Sequence, residues 1–565
     1  MRGSELPKGT SAQRRYRQGG SAVLGGLALV SVLAACGGSA NSSSNNGTGS
    51  STTSGSTPAA GTPKTGGSMT FALESESPDY VPGGSRLAYS GSAVEAAVYD
   101  PLTQYQPDGT AKPFLAQSVT ANSTSTQWTV TLPSGIKFED GTGVTAQDIV
   151  DDYNQYIVAT GSSDAATFAE VKSVTATGPL TALFTLSAPD ANFPIILTNF
   201  FTFNPDLKSK YGSSYGAHPD GTGPFKLVSW QPNNQIVLQA NPYYWRKDSA
   251  GRQLPYLSSI TLKIIPDGNT RTATLQSSGI AGFETVEAQL MSSASSLPGI
   301  AVDNVDTGGA GWFFNTQAAP TNDLRVREAI TEATDRSAII AALGAGSIVQ
   351  PRVEYFGPNS EYYDPQAAAA LPATDAAKAK ATLQGYINDP KRTDGKPVGS
   401  PVNITLNYIS ADTQEGAAVQ VAQSEWQAAG FKVTLNATDE ATQVSDAAGG
   451  KDQAFFFEWA NQPPFGLFEH NYLPSKEDPA NWTKFDNPTV LGAIQSLAAT
   501  TDLNQTKSLS HTINMVFAQQ LPVDFLFSSD EGWIYSTSKV GGLTLTPGSK
   551  GGLGDNIDWA LMWAK

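Results

Sequence analysis

The sequence predicts a mixed α/β protein of at least two lobes behind an export leader. Three observations lead there. The chain runs to 565 residues, well past the size at which a single hydrophobic core stops growing. Runs that alternate apolar and polar residues stand beside stretches with apolar spacings of three and four, so strands and helices interleave. The first 36 residues hold a basic stretch, an apolar run too short to span a bilayer, and the chain's one cysteine.

In the leader, Arg14, Arg15 and Arg17 precede the apolar run Ala22 to Ala35, which closes on Leu33-Ala34-Ala35-Cys36. This resembles a bacterial lipobox, in which cleavage before the cysteine and its lipidation leave Cys36 as an anchored N-terminus. Residues 1–35 are therefore read as a signal peptide. Residues 36–66, rich in Gly, Ser, Thr and Asn, are read as a flexible tether with a reach of roughly 30 Å. The expected location is the outer face of the cytoplasmic membrane. Because a single acyl chain binds membranes only marginally, stable anchoring calls for the two-part lipid such lipoproteins carry.

Composition narrows the function classes. A net charge of −16 disfavours the phosphate backbone of nucleic acids, which is bound through Lys and Arg. One cysteine and three histidines leave no disulfide framework and little material for a metal centre, so neither metal nor cofactor is expected. Ten Trp, 19 Tyr and 24 Phe argue for packed cores and aromatic surfaces rather than disorder.

Past the tether, Met69–Leu73 reads as a first strand. Trp128-Thr-Val130-Thr-Leu132 alternates as a half-buried strand should, Asp140-Gly141 supplies a turn, and Thr145 is placed to cap a helix carrying Ile149, Tyr153 and Ile157 on one face. Val171–Thr177 with Leu180–Leu186, and Phe225–Trp230 with Ile236–Ala240, read as hairpins, and Ile260–Ile265 as a further strand. Leu324, Val326, Ile330, Ala333, Ile339 and Ile340 recur at roughly helical spacing behind Asn322 or Asp323 as cap. Ile404–Tyr408, an amphipathic stretch ending at Gly430, and Phe431–Leu435 form a strand–helix–strand unit, which favours a parallel pair.

No motif demands catalysis. Gly212-Ser213-Ser214-Tyr215-Gly216 matches the G-x-S-x-G pattern, yet no buried strand precedes it as a nucleophile elbow requires. His218, His470 and His511 stand apart from any H-E-x-x-H spacing. No catalytic residue is assigned and the chain is read as a non-enzyme. An exported, acidic, aromatic-rich, two-lobed protein points instead to capture of a small molecule in a cleft.

Longer blocks carry a resemblance. Trp128 through Asp140-Gly141 to Thr145-Ala146-Gln147-Asp148 is similar to the signature of the extracytoplasmic solute-binding proteins of bacterial ABC importers, peptide/nickel-type family 5. So are Gly221-Thr-Gly223-Pro224-Phe225 with Asn241-Pro242-Tyr243-Tyr244-Trp245, Asn315-Thr-Gln with Asp323 to Ile330, and Thr374-Asp375-Ala-Ala-Lys378-Ala379. The resemblance spans residues 67–565. It implies the two-lobed α/β fold of periplasmic binding proteins (type II, large cluster, with an extra inserted subdomain) and a ligand cleft between the lobes. The first lobe would cover 67–309 with an insertion at about 106–220, the second 310–525, and 526–565 would return to the first.

The resemblance also implies a monomer that binds a small solute or peptide and passes it to a permease pair driven by cytoplasmic ATPases. In peptide-binding members, a Trp-x-x-Asp element sets an aspartate against the ligand's α-amine. Here Trp459 is kept, but Gln462 stands where the aspartate is expected, so ordinary α-amine recognition is not expected. Trp459, Asn461, Gln462, Phe465, Tyr80, Tyr89, Trp312 and Trp482 are the candidate ligand contacts. Two other functions remain open at this point: a surface binding protein serving a sensor, and a surface hydrolase using Ser213, Ser214 or a carboxylate pair beside a base.

Overall fold

The computed structural model describes residues 61–81, 89–106, 110–158, 168, 170–358, 360–410, 413–460, 464–476, 480–546 and 556–565. The leader, Cys36 and most of the tether lie outside the described residues, as do Asn461 and Gln462. No helix among the described residues is long and apolar enough to cross a membrane.

Ten strands form one mixed sheet, in the order Lys432–Thr438, Asn403–Ile409, Ala454–Ala460, Ile300–Phe314, Val523–Ser536, Gly282–Thr285, Ser68–Leu73, Ser259–Ile264, Gln235–Ala240, Phe225–Gln231. The sheet is continuous because its two central strands are long. Ile300–Phe314 and Val523–Ser536 pair antiparallel from Ile300↔Ser536 to Phe313↔Val523, with register shifts between Asp306 and Gly308 and between Ala310 and Gly311. The same two strands take different outer neighbours at their two ends: Gly308–Phe314 pairs with Ala454–Ala460, while Gly532–Tyr535 pairs with Gly282–Thr285. Gly311 is required where the strands close up, since a Cβ there would strike the backbone of Asp524 and Phe525.

Among the described residues, three large apolar cores pack on this frame, beside a small fourth cluster around Tyr244, Tyr256 and Trp563. One joins Phe71, Trp128, Phe184, Phe225, Trp533 and Trp559; a second joins Phe283, Trp312, Leu406, Trp426 and Phe456; a third joins Phe313, Phe455, Phe468, Ile494 and Phe517. The first core includes a separate four-stranded sheet, ordered Ser118–Ala121, Gln127–Thr131, Thr181–Leu186, Val171–Gly178. The C-terminal segment reaches this core through Trp559, whose ring meets Phe71 edge-on at 5.4 Å.

The long sequence blocks prove to be turns, caps and close approaches. Asp148 accepts from both the backbone N–H and the hydroxyl of Thr145 (2.7 and 2.9 Å) at the start of helix Ala146–Val158, half of a capping box. Gly221 and Gly223 leave room for the Val98 carbonyl, with which any side chain there would collide. Asn241 Nδ2 donates to Gly223 O (2.9 Å), and Trp245 Nε1 and Thr222 Oγ1 both donate to the buried Asp100 (2.7 and 3.1 Å). The strand–helix–strand unit is parallel, Asn403–Ile409 against Lys432–Thr438, with helix Thr413–Ala429 between. One expectation needs correction: the apolar spacing from Leu324 to Ile340 covers two helices, Leu324–Ala333 and Arg336–Leu343. The chain leaves the helix at Thr334, and Asp335 caps the next one by accepting from Ser337 N and Ala338 N.

Candidate functional site

Strands Ser68–Leu73, Ser259–Ile264 and Gly282–Thr285 run parallel. At the other end of the sheet, Asn403–Ile409 runs parallel to Lys432–Thr438 and to Ala454–Ala460. In open α/β sheets ligands bind beyond the carboxyl ends of such strands. One contact links the regions past these carboxyl ends: Gln414 Nε2, five residues after Ile409, donates to Val286 O, next to Thr285 (3.4 Å).

On the second group, strand parity sorts the aromatics. Gly309 pairs with Trp459 and Gly311 with Phe457, so Phe313, Phe457 and Trp459 share one face. Phe313 lies 5.9 Å from Trp459. Trp482 closes over them, at 5.1 Å and 32° from Trp459 and edge-on to Phe457 at 5.0 Å. Trp459 and Trp482 are both half-buried, and the buried Nε1 of Trp459 has no hydrogen-bond partner. An indole N–H in such a place usually finds one, so the pair offers a stacking surface with a donor to spare.

Arg352 shares this face, and the sequence reading missed it. It is 2% exposed and lies where a Cβ on Gly309 or Gly357 would touch it. Its Nη2 donates to Asp306 Oδ2 (2.8 Å), a carboxylate at the first register shift whose side chain is 40% exposed. Burial pushes nearby Asp530 up to about 6, although Ser528 and Asn304 both donate to it (2.6 and 2.9 Å).

The first group ends in a charged cluster. The fully buried Arg271 bonds Glu74 (3.1 Å) and Glu287 (2.7 Å). Glu284, also fully buried, accepts from Ser90 Oγ (2.7 Å). Burial first, then the charge of Glu74, raises the Glu284 carboxyl above the usual carboxylate range.

Of the remaining sequence candidates, Trp312 and Tyr80 lie away from this pair, and Tyr89 and Phe465 are placed only by the helices that carry them. Trp312 is fully buried in the second core, edge-on to Trp426 (5.4 Å) and Phe456 (5.3 Å). It points to the opposite side of the sheet from Trp459, which leaves it no surface for a solute. Tyr80 is 3% exposed, packed 5.1 Å from Trp230, with its hydroxyl unpartnered. Tyr89 opens helix Tyr89–Val98 and Phe465 stands in helix Pro464–Tyr472. Ser213 and Ser214 lie in a 3₁₀ turn where Ser214 Oγ donates to Tyr211 O (2.9 Å) and the neighbouring His218 ring stacks on Tyr211 at 3.9 Å.

A frame of this kind belongs to the extracellular binding components of bacterial ABC importers. The chain is a member of the bacterial extracellular solute-binding proteins, family 5, whose model matches residues 110–477. Among solved structures, the binding protein AgaA of A. tumefaciens R10 in complex with agropinic acid superposes with a TM-score of 0.73 at 22% identity, covering 88% of this chain and 99% of that one. The nickel-binding periplasmic protein of Escherichia coli K12 is 26% identical over 455 residues, 74% of this chain and 81% of the relative. The probable D,D-dipeptide-binding periplasmic protein DdpA of the same strain is 25% identical over 470 residues, 80% and 85% respectively.

Proposed function

We propose that this protein holds a polar solute without a required cationic α-amine between two lobes, 67–309 with 526–565 and 310–525, and closes on it about the paired strands Ile300–Phe314 and Val523–Ser536. The half-buried Trp459–Trp482 pair with its unpartnered indole N–H carries this reading. Stacking plus a neutral donor suits oligosaccharides or modified peptides, whereas a desolvated ammonium needs a paired charge. Gln462, three residues past Trp459 in the sequence, carries no such charge. The ligands named for relatives, nickel, a D,D-dipeptide and agropinic acid, are diverse enough that the site and not the family must decide. Closure follows from the solute's greater affinity for the closed form. The protein acts as a monomer and a binding protein rather than an enzyme.

Native mass spectrometry of protein purified without denaturation should show a retained solute, and Trp459→Ala should lose it while its far-ultraviolet circular dichroism stays that of the parent. Retention undiminished in Trp459→Ala would place the solute elsewhere. In a thermal-shift comparison of free and N-acetylated short peptides with oligosaccharides, stabilisation by free peptides alone would show that another carboxylate holds an α-amine.

Anchoring is proposed to rest on Cys36. Cys36→Ser should move the protein from the membrane fraction to the soluble one, and persistence on salt-washed membranes would refute a lipid anchor.

A further inference from the structure

Helix Pro488–Ala498 ends with no basic residue in its last turn, and the last carbonyls of any helix lack intrahelical donors. Ala499 N and Thr500 N serve Ser496 O and Leu497 O locally (3.2 and 3.3 Å), and further donors come from about 300 residues away. Asn192 Nδ2 donates to Leu497 O (3.0 Å) and to Thr500 O (3.2 Å), and Ala191 N donates to Ala498 O (3.2 Å). Asn192 stands at the N-cap position of the short helix Phe193–Ile196, where an asparagine side chain ordinarily bonds the first N–H groups of its own helix. It makes no such bond. Its amide serves the other helix's last turn at Leu497 O and the segment just past that helix at Thr500 O instead.

The donor is held firmly. Asp190 Oδ1 accepts from Asn192 N (2.7 Å), Asp190 N donates to Ser125 O (3.1 Å), and Trp128 Nε1 donates to Asp190 O (3.1 Å). Phe193 is buried beside Phe184 and Trp128 at 5.4 and 6.0 Å. The amide is thus presented by the four-stranded unit. The helix that receives it is seated in the third core through Val490, Ile494 and Leu497.

We propose that Asn192 is a positioning residue for solute capture: its amide clasps the 106–220 insertion onto the helix end of the second lobe and holds the closed form. This rests on the two-lobe reading above. On opening, the helix carbonyls and the amide exchange one another for water, so the clasp biases closure modestly and sets how long a solute stays. Loss of two neutral hydrogen bonds shifts a closed-to-open ratio on the order of tenfold.

The test needs no solute. Spin labels at Lys172→Cys on the four-stranded unit and Gln495→Cys on the helix, both exposed, go into the full Cys36→Ser chain for electron–electron distance measurement. The parent should show one dominant short distance. Asn192→Ala should raise the long-distance population about tenfold, and Asn192→Asp should raise it further, because a carboxylate opposes the carbonyls at a helix C-terminus. Asn192→Gln, which keeps the amide on a longer stem, should fall between parent and Asn192→Ala. Thermal melting of each variant checks folding. Superposable distance distributions in all variants, or a lowered melting temperature with unmoved distances, would overturn the clasp. If the distances separate while Trp459→Ala keeps its solute, the cleft reading falls and the clasp stands.

Discussion

Trp312→Ala should lower the unfolding free energy by about 3–5 kcal/mol, the usual range for truncating a fully buried aromatic. The ring is fully buried, on the central strand, edge-on to Trp426 and Phe456. Its neighbours are themselves tied down: Trp426 Nε1 donates to Thr334 Oγ1 (3.0 Å) and Phe456 sits in the paired strand opposite. They cannot collapse into the space, so the cavity cost adds to the lost transfer energy. The Nε1 of Trp312 has no partner, so Trp312→Phe removes an unsatisfied donor along with some volume and should cost clearly less than Trp312→Ala. Urea unfolding followed by far-ultraviolet circular dichroism measures both, without relying on the tryptophan that is removed. Trp459→Ala, at a half-buried position, should cost less stability and more solute. Unchanged unfolding in Trp312→Ala together with lost solute would return Trp312 to the binding surface.

That contrast shows what was legible in the sequence and what was not. Residue type marks Trp312 and Trp459 alike as large aromatics in segments beside a cleft. Only the pairing of Gly309 with Trp459 and of Trp312 with Phe456 assigns them to opposite faces, and pairing is a long-range fact. Elements whose pattern is local were readable: the Trp128 strand, the Thr145–Asp148 helix start, and the parallel unit around Thr413–Ala429. Strand Ile300–Phe314 was not, because Asp303, Asn304, Asp306, Thr307, Gly308, Gly309 and Gly311 break any alternation. It is a strand because Val523–Ser536 pairs along its length. Arg352 escaped notice for the same reason. Its neighbours Gln350, Pro351 and Val353 announce nothing, and its place depends on the absent side chains of Gly309 and Gly357.

Stability should fall as pH rises from about 5 to 8, and Glu354→Gln should flatten that fall. Glu354 is 6% exposed. Burial pushes its carboxyl from 4.5 up to about 8; the charge of Asp364 adds to the rise, while Arg352 and the Asp364 N–H oppose it. A carboxyl raised on folding binds more protons in the folded state than in the unfolded one between those two values. Its contribution is therefore fully present below 4.5 and lost as pH climbs to about 8, at about 1.4 kcal/mol per pH unit for each such proton. Asp100 and Asp190, each pushed by burial to about 7, act in the same direction. In Glu354→Gln the oxygen that accepts from Asp364 N (2.6 Å) is kept. The new amide faces a cavity of about 10 Å³ that Asn514 also lines, with both polar atoms of that side chain unpartnered. The variant should match or exceed the parent's melting temperature at pH 8 and fall below it at pH 5, so the two curves cross. Parallel curves would mean that Glu354 ionises in the folded protein as readily as in the unfolded one, and that its burial is offset by contacts stronger than those of Arg352 and the Asp364 backbone.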